Sequence, residues 1–526
     1  MPIRMDKDDI GGNNDNYPGG GKKTQNTTGG GGGMAALLPF LITLISKRPK
    51  LLLILLLAAG LWYFFGGGLS NMTNVEASSD FGTGMEMKQE LYDKAEVFEP
   101  LADNKANPLP ERVSLLEYAP NRLNQGQQGS CVGWASSYAA RTILHSRQTG
   151  VNPNRVVFSP AYVYNQIAIP NSRCQGAYMM DAMKTLHQDG DVPFAAFPYD
   201  ESSCNARPDQ STRQVAADYR IKGYNRLSMD HDKYAVNMLA MKQNLAQGAP
   251  VVIGMQVGGS FMQSMKGRDK WIPTSGDYSM RGFGGHAMCV IGYDDYKFGN
   301  EGGFQIMNSW GEDWGDEGIA WVRYKDFEFF TKEAYGLYPM GDANKVTTTA
   351  LAINFGLVKV DAKGAVTGKI NVKADGLNSF SSTQPINVGE RFKVEITNSV
   401  ECYVYIFGQE TDGSSYVLFP YTKKHSPYCG ITGTRLFPRD LSMKADDLGN
   451  RDYIAAVFTK VPLDYDRMNT AIQSASGNNY AEKLDNALGQ AGVDGINFTT
   501  GESIGFKVQN MSDQQAVGVV IGFDKR

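Results

Sequence analysis

The sequence predicts an α+β protein in three parts: one membrane segment, an α+β unit and a β-rich C-terminal domain. Three observations support this prediction. Residues 51–69 are uncharged, residues 106–340 mix helical spacing with β-branched runs, and residues 350–526 alternate apolar and polar side chains. The 526 residues suffice for two or more domains, and a hydrophobic content of 42% is that of a globular protein.

Charge and cysteine content exclude several classes of protein. The formal net charge is -4 without an extended basic patch, which argues against a nucleic-acid partner. The six cysteines are too few for a disulfide scaffold, and none forms a Cys-x-x-Cys pair, so we expect no metal site. Only five histidines are available as candidates for a catalytic base.

The N-terminal region predicts attachment to a lipid bilayer. Residues 1–33 are rich in glycine and asparagine, so we expect a disordered tail. Residues 34–69 form the membrane segment, in which 51–69 has about the length of 20 residues that crosses a bilayer. The apolar stretch 34–46 is either an interfacial helix or part of a longer, broken span.

The charges around the span predict its orientation. Basic residues precede residue 51 and the next one is Lys88, so the positive-inside rule predicts a cytoplasmic N-terminus. The catalytic domain of this single-pass protein would then be periplasmic or extracellular. A cleaved signal peptide is disfavoured because the region ahead of the apolar run is too long. Residues 70–105 are a predicted linker, in which 85–100 forms a short amphipathic helix or a mere spacer.

Cys131 is the strongest candidate for a reactive group. It follows the glycine-rich stretch 124–130 and begins an apolar helical run. The positive end of a helix dipole favours a thiolate. Gln125 lies six residues earlier, where its amide could donate a hydrogen bond to an oxyanion. The alternative is a buried structural cysteine, because free cysteine is among the most buried residue types.

His286 and Asn308 supply the other groups that a thiol site needs. His286 follows a glycine pair and precedes a β-branched run that predicts a strand. Asn308 follows the predicted strand 304–307. An asparagine there could accept the imidazole N–H, fix the tautomer and leave the other ring nitrogen for the thiol.

These blocks resemble the signatures of the papain family of cysteine peptidases. The matching motifs are Gln-x5-Cys at 125–131, His-Ala at 286–287 and Asn-Ser-Trp-Gly-x2-Trp-Gly-x2-Gly at 308–318, in the family's order. The segments 158–165, 174–182 and 239–254 are also similar to the family. The resemblance covers residues 106–340.

The resemblance implies a papain-like two-lobed domain, with a helical lobe and a β-barrel-like lobe, that hydrolyses peptide bonds in a peptide or protein substrate. It assigns the nucleophile to Cys131, the general base and acid to His286, the imidazole orienter to Asn308 and an oxyanion-hole donor to Gln125. No metal or organic cofactor is implied. The residues it places along the substrate groove are Gly176, Ala177, Gly285 and Trp310, and Trp310 would also shield the His–Asn bond from water.

The sequence departs from the family at several positions. Val132 stands where the family has tryptophan, and Gln128 replaces a cysteine, so Cys174 is expected to pair with Cys204 instead. Ala177 replaces a glycine of the substrate wall, which would either narrow the groove or alter how the substrate backbone pairs there. The region before the domain is too short for the family's long inhibitory propeptide, so we do not expect control by a removable helical propeptide.

The C-terminal residues 350–526 predict a β-sandwich-like accessory domain. Strands are expected at 389–396, 402–407, 416–419, 453–457, 504–508 and 517–521, and a helix within 464–488. Cys402 and Cys429 could form a disulfide outside the cytoplasm. The region weakly resembles an all-β accessory domain of unknown function, and it either stabilises the protein or binds substrate or the cell envelope.

The sequence leaves alternatives to a peptidase. One is a catalytically degenerate papain-like scaffold that only binds, which the presence of all four site residues disfavours. Another is a thiol amidase or transpeptidase that acts on cell-wall peptides with the same chemistry. A transglutaminase-type enzyme is disfavoured because it normally has aspartate in place of Asn308. The natural substrate and the oligomeric state do not follow from the sequence.

Overall fold

A computed structural model describes residues 3–9, 81–228, 235–338 and 350–526. Residues 112–338 form an α+β domain in which helices pack against an eight-stranded sheet. After the helical stretch 131–149, described next, the helices of this domain are Pro160–Ile167, Met179–Gln188, Gln210–Ala217, Met238–Ala246, Gly259–Gln263 and Tyr324–Phe330. The domain has the helical and β lobes that the sequence predicts.

One continuous helical stretch, the central helix at residues 131–149, runs through this domain. It is α-helical over Cys131–Gly133, π-helical over Trp134–Arg141 and α-helical over Thr142–Thr149. All residues from Cys131 to Leu144 are buried. The side chains on this stretch are therefore fixed by packing, and its first residue lies inside the domain.

The sheet of the α+β domain carries the other candidate residues. Its strand order is Gly223–Arg226, Thr331–Tyr338, Val251–Val257, Gly284–Asp294, Gly303–Met307, Ile319–Arg323 and Lys270–Trp271, with Arg112–Ser114 paired to Gly284–Asp294. The long strand Gly284–Asp294 is central, and the helix Trp134–Arg141 packs on it. Its β-branched and apolar residues are buried, as a strand covered on both faces requires.

The C-terminal domain consists of two seven-stranded sheets. The first contains Ile3–Lys7, Leu351–Val360, Val366–Ile370, Arg391–Asn398, Gly433–Phe437, Leu441–Ala445 and Ile504–Val508. The second contains Val372–Ala374, Ser379–Ser382, Cys402–Gln409, Ser415–Phe419, Tyr428–Cys429, Arg451–Thr459 and Ala516–Asp524. Edge-to-face aromatic pairs join the sheets, with ring centroids 5.1 Å apart for Phe392 and Phe523. The predicted strands are present with small shifts at their ends.

Two helices cover the outer face of the second sheet. The single helix predicted over 464–488 is divided into Tyr465–Ser474 and Tyr480–Leu488. Asp464 caps the first, and Asn479 accepts the N–H of Glu482 at 2.9 Å to cap the second. The interruption carries Gly477 with φ +159. The domain is therefore a sandwich with a helical third layer.

The prediction that residues 1–33 are disordered is wrong for residues 3–9. Ile3–Lys7 is a strand that pairs antiparallel with Leu441–Ala445. Residues 3–9 and the described residues from Phe81 onward belong to one compact unit. The strand could not be predicted from the sequence, because its residues are mostly polar. Its partner strand is also more than 400 residues away in the sequence.

A connecting segment, residues 93–107, lies between the two domains and bonds to both. Phe98 N donates to Arg226 O of the α+β domain at 3.0 Å, and Ala102 N donates to Thr434 O of the C-terminal domain at 2.9 Å. The predicted helix over 85–100 is consequently reduced to Gln89–Tyr92. The backbone groups that a longer helix would pair internally are paired with the domains instead. Residues 81–105 of the predicted linker are therefore part of the folded protein.

Cys402 and Cys429 are both buried free thiols, so the expected disulfide between them is not formed. They occupy directly opposite positions of the paired strands Cys402–Gln409 and Tyr428–Cys429. Directly opposite residues have Cβ atoms about 4.5–5.5 Å apart, whereas a disulfide needs about 3.5–4.5 Å. The strand register therefore keeps the two thiols adjacent and unbonded.

In the part of the chain that the structure describes, no helix is long and apolar enough to cross a membrane. The predicted span 51–69 and the stretch 34–46 lie outside the described residues.

Arg435 joins the connecting segment to the C-terminal domain. Its guanidinium is buried and donates to Glu99 O at 3.0 Å, Asn398 Oδ1 at 2.8 Å and Ile431 O at 3.0 Å. We expect Arg435→Ala to lower the free energy of unfolding by about 3 kcal/mol, because three buried acceptors lose their donor. Equilibrium urea unfolding measures this. The exposed Arg467→Ala is the control and should change stability by at most about 0.5 kcal/mol; equal effects would contradict the role of Arg435.

Candidate active site

The thiol of Cys131 lies at the start of the central helix. Its side chain has no solvent exposure, and Ala287 N donates to its Sγ at 3.4 Å. The preceding turn is held by Gln125, whose backbone N–H donates to Ser309 O at 2.8 Å. The helix start and the strand Gly284–Asp294 thus meet at the sulfur atom.

His286 and Asn308 form a hydrogen-bonded pair beside this thiol. His286 Nε2 lies 2.7 Å from Asn308 Oδ1. Asn308 is held by its backbone, which donates to Gly318 O at 3.0 Å. An oxygen acceptor at Nε2 requires a proton on that nitrogen, so the neutral ring leaves Nδ1 unprotonated. Nδ1 is buried and has no hydrogen-bond partner among the described residues.

Trp310 covers the imidazole of His286. The two rings are stacked with centroids 4.3 Å apart and planes 24° apart. Trp310 is itself 1% exposed and packs against Trp314 and Phe261. The His286–Asn308 hydrogen bond is therefore shielded from water by an aromatic ring, which strengthens it.

The amide of Gln125 lies in the same turn as the thiol. Its Oε1 accepts a hydrogen bond from Ser309 Oγ at 2.6 Å, and its Nε2 donates to Gln128 O at 2.8 Å. These two bonds orient the carboxamide, which has two N–H groups. Ser309, next to Asn308, links the amide to the His–Asn pair and was not singled out from the sequence.

A short segment of the chain, the groove segment at residues 81–87, lies across the four residues predicted to line the substrate groove. Phe81 stacks on Trp310 with ring centroids 4.8 Å apart, and Trp310 Nε1 donates to Gly82 O at 2.8 Å. Met85 N donates to Gly285 O at 3.0 Å.

The substrate-wall residues pair with the groove segment through their backbones. Ala177 N donates to Gly84 O at 2.9 Å, and Glu86 N donates to Ala177 O at 3.0 Å, which makes a parallel bridge around Met85. Gly176 has φ +118, and a Cβ there would lie 3.2 Å from the side chain of Glu86. The four residues line the groove, and their role toward a substrate stays a prediction.

Glycine at two positions lets the groove segment enter. A Cβ on Gly84 would lie 2.2 Å from Gly129 O, and one on Gly82 would lie 2.8 Å from Gly126 O. Any larger residue would collide with the turn that precedes Cys131. The pattern Phe-Gly-Thr-Gly-Met at 81–85 could have indicated this contact. It was not interpreted in that way because residues 70–105 were predicted to be a linker.

The side chain of Met85 fills a pocket floored by glycine. It is 3% exposed, and its Cε lies 2.1 Å from where a Cβ on Gly254 would be. The sulfur of Met179 borders the same position. The pocket accepts a long apolar side chain because Gly254 and Gly285 leave space for it.

Burial changes the ionisation of both reactive groups. Loss of solvent raises the pKa of the Cys131 thiol to about 12, although hydrogen bonds from backbone N–H groups, that of Ala287 first, oppose the rise. Loss of solvent also lowers the pKa of His286 to about 4, while its bond to Asn308 opposes the fall. Burial beneath the groove segment therefore favours the neutral form of both the thiol and the imidazole.

Several departures from the family motif have a structural explanation. Cys174 and Cys204 form a disulfide. Gln128, in place of a cysteine, donates from its amide to Asp200 O at 3.1 Å and to Glu201 O at 3.2 Å. Hydrogen bonds therefore connect the turn before Cys131 to the region around Cys204. Val132 is fully buried in the core.

Comparison with known proteins gives two family matches. Residues 116–336 match the model of the papain family cysteine protease, and residues 386–462 match a domain of unknown function, DUF4384. Among solved structures, the cysteine protease xylellain from Xylella fastidiosa is 22% identical with a TM-score of 0.41, and the similarity covers 50% of this chain and 97% of that one.

Relatives of the α+β domain include proteins with peptidase names. A peptidase C1-like protein of Acanthamoeba polyphaga mimivirus is 27% identical over 41% of this chain and 68% of its own length. A cathepsin B-like protein of Giardia intestinalis is 28% identical over 38% of this chain, and mouse cathepsin K is 28% identical over 38%. The chain spans only 62% and 54% of the lengths of these two relatives. Residues 116–336 are therefore a papain family cysteine protease domain.

Proposed function

We propose that this chain hydrolyses peptide bonds with Cys131 as nucleophile, His286 as general base and acid, Asn308 as imidazole orienter and Gln125 as oxyanion-hole donor. The observation that carries the proposal is the His286–Asn308 hydrogen bond of 2.7 Å, made by Nε2. It leaves Nδ1 without a partner in a site where Ala287, the next residue, bonds the thiol. The family match of the domain supports the same chemistry.

The first half of the reaction is acyl transfer to sulfur. Transfer of the Cys131 proton to His286 gives a thiolate and an imidazolium, which need no metal. The thiolate attacks the carbonyl carbon of the scissile bond, forming a C–S bond and a tetrahedral oxyanion. The Gln125 amide and the Cys131 backbone N–H stabilise that oxygen. The imidazolium then protonates the amine as the C–N bond breaks, leaving a thioester.

The second half is hydrolysis of the thioester. His286, again neutral, removes a proton from water while the water oxygen attacks the thioester carbonyl. Breaking of the C–S bond releases the carboxylic acid, and the proton held by His286 returns to the sulfur. Throughout both halves Asn308 keeps the imidazole in the tautomer with Nδ1 toward the substrate side.

In this proposal the groove segment holds the peptidase in a blocked state. Cys131 and His286 have no exposure beneath it. The carbonyls of Gly82 and Gly84 accept from Trp310 Nε1 and Ala177 N, so they are bonded to the groove walls and not to the oxyanion-hole donors. The segment thus occupies the site as an inhibitor. Withdrawal or cleavage of residues 81–87 would admit a substrate, whose apolar side chain would take the Met85 pocket.

The proposed location is a membrane surface facing an oxidising compartment. The uncharged residues 51–69 support attachment to a bilayer. The disulfide between Cys174 and Cys204 supports a compartment outside the cytoplasm, because cytosolic thiols are kept reduced.

Covalent labelling tests the nucleophile. We expect an epoxide-type thiol-peptidase probe to modify the wild-type chain and the Cys289→Ala variant, but not the Cys131→Ala variant. Cys289 is a matched control because it is an equally buried free thiol in the strand that carries His286. Turnover of a peptide substrate should fall by about 10³-fold or more in Cys131→Ala alone. Label on the Cys131→Ala variant, or none on a folded chain whose groove segment is displaced by Gly84→Ala, would refute the assignment and favour a binding scaffold.

A clash introduced in the groove segment tests the blocked state. We expect Gly84→Ala to raise the labelling rate of Cys131 at pH 7 by about tenfold or more, because each 1.4 kcal/mol of lost docking energy opens the site tenfold. Gly267→Ala is the control: that glycine also has positive φ, and no atom lies within 4 Å of its Cβ position. An unchanged rate for Gly84→Ala would show that the segment does not limit access.

Acidification should release the groove segment. The blocked site lowers the pKa of His286 to about 4, whereas an open site allows the ordinary value of about 6.5. Between these values the open form binds more protons, so opening is favoured as the pH falls from 6.5 toward 4 and is unaffected between pH 6.5 and about 8.5, the ordinary pKa of a thiol. The wild-type labelling rate divided by that of Gly84→Ala should rise from pH 7.5 to pH 4.5. A constant or falling ratio would contradict the lowered pKa.

A further inference from the structure

The N-terminal strand Ile3–Lys7 occupies the edge of the first sheet of the C-terminal domain. It pairs over all five residues, from Ile3 opposite Ala445 to Lys7 opposite Leu441. The contact continues past the strand, because Asp8 N donates to Asp440 O at 3.4 Å and Asp9 N donates to Ala362 O at 2.8 Å. Main-chain hydrogen bonds of this kind add a strand to a sheet without strong demands on side chains.

The carboxylate of Asp8 supplies the specific part of this contact. Its side chain is 1% exposed, and Lys393 Nζ lies 2.7 Å from Oδ2. Ser442 Oγ donates to Oδ1, and Arg391 Nη1 lies 3.5 Å from the same oxygen. Gly364 leaves space for the carboxylate, because a Cβ there would lie 2.3 Å from Oδ2. All three donors belong to the C-terminal domain.

The pocket needs an anion to be stable. The ammonium of Lys393 is 3% exposed, and apart from Asp8 it bonds to Arg439 O at 2.7 Å. Removal of Asp8 would leave a buried positive charge without a counter-charge, which is unfavourable. A second carboxylate, that of Asp6, lies 3.3 Å from Lys444 and 3.6 Å from Arg391. The charges of the strand and of the edge are therefore complementary.

We propose that this edge of the C-terminal domain is a binding site for a β-strand followed by an aspartate, and that its occupant is the chain's own N-terminus. The strand supplies affinity through its backbone, and Asp8 supplies specificity through the pocket of Lys393, Ser442 and Arg391. The site is distinct from the peptidase groove and does not depend on the proposed activity.

Docking of the N-terminal strand constrains the membrane topology. Residues 3–9 and the C-terminal domain share one sheet, so they lie on the same side of a membrane. A single crossing by residues 51–69 would place them on opposite sides. In this proposal both ends of residues 10–80 lie on one side of a membrane, in place of the predicted single-pass arrangement with a cytoplasmic N-terminus and an external catalytic domain.

Hydrogen exchange of the full chain tests the docking. In a Cys131→Ala background, which removes the chain's own proposed activity, we expect the amides of residues 3–9 to exchange about tenfold or more slowly than free peptide. Asp8→Ala should abolish this protection, while Asp9→Ala should retain it, because the Asp9 side chain is exposed. Equal protection in both variants would overturn the role of Asp8.

Two further measurements distinguish loss of strand docking from unfolding of the C-terminal domain by Asp8→Ala. Lys393→Met removes the buried charge while filling its space, and it should lose the same protection in a folded domain; retained protection would refute the pocket. A synthetic peptide of residues 1–10 should bind the chain lacking them, and its Asp8→Ala form should not. Protection in the intact chain that falls on dilution would show exchange of the strand with a second copy and overturn the intramolecular assignment.

Thiol labelling of the membrane-inserted chain tests the topology. We expect a membrane-impermeant reagent to label Pro2→Cys and Lys507→Cys variants from the same side of sealed vesicles. Lys507 is an exposed residue of the C-terminal domain. Labelling of only one of the two sites would restore the single crossing and overturn the proposal.

Discussion

The active-site geometry depends on the hydrogen bond between His286 Nε2 and Asn308 Oδ1, 2.7 Å long beneath Trp310. The bond joins His286, near the start of the strand Gly284–Asp294, to Asn308, which directly follows the neighbouring strand Gly303–Met307. The register of these two strands therefore determines whether the bond can form. Because Nε2 is engaged, Nδ1 is the nitrogen available to the thiol. Ser309 extends the contact to Gln125, which links the proposed base, its proposed orienter and the proposed oxyanion donor to one backbone turn.

The groove segment shows that the same walls which would bind a substrate can hold part of the chain itself. The contacts are backbone hydrogen bonds to Gly285 and Ala177, an aromatic stack on Trp310 and one methionine in an apolar pocket. The backbone hydrogen bonds tolerate many residues except at Gly82 and Gly84, where no side chain fits, whereas the stack needs an aromatic residue and the pocket needs a long apolar one. Burial beneath the segment favours the neutral thiol and the neutral imidazole, so a blocked groove also disfavours the thiolate–imidazolium pair.

The α+β domain could be predicted, and its four candidate residues, which the structure brings together, could be named, because their motifs are local and occur in a recognisable order. The strands of the C-terminal domain could be predicted from alternation of apolar and polar residues. The groove segment, the connecting segment and the strand Ile3–Lys7 could not, because their backbones pair with partners distant in the sequence. The predicted disulfide between Cys402 and Cys429 is wrong, because the pairing of their strands fixes the distance between the two Cβ atoms. The spacing of the two cysteines along the chain does not reveal this distance.

The most direct test of the blocked-site account is the ¹⁵N resonance of the His286 imidazole, assigned by comparison with a His286→Gln variant, in the full chain between pH 8 and pH 3. The account predicts a neutral ring with the proton on Nε2 at pH 7 and protonation only near pH 4, since burial lowers the pKa of His286 to about 4. A proton on Nδ1, or titration near the ordinary value of about 6.5, would contradict it.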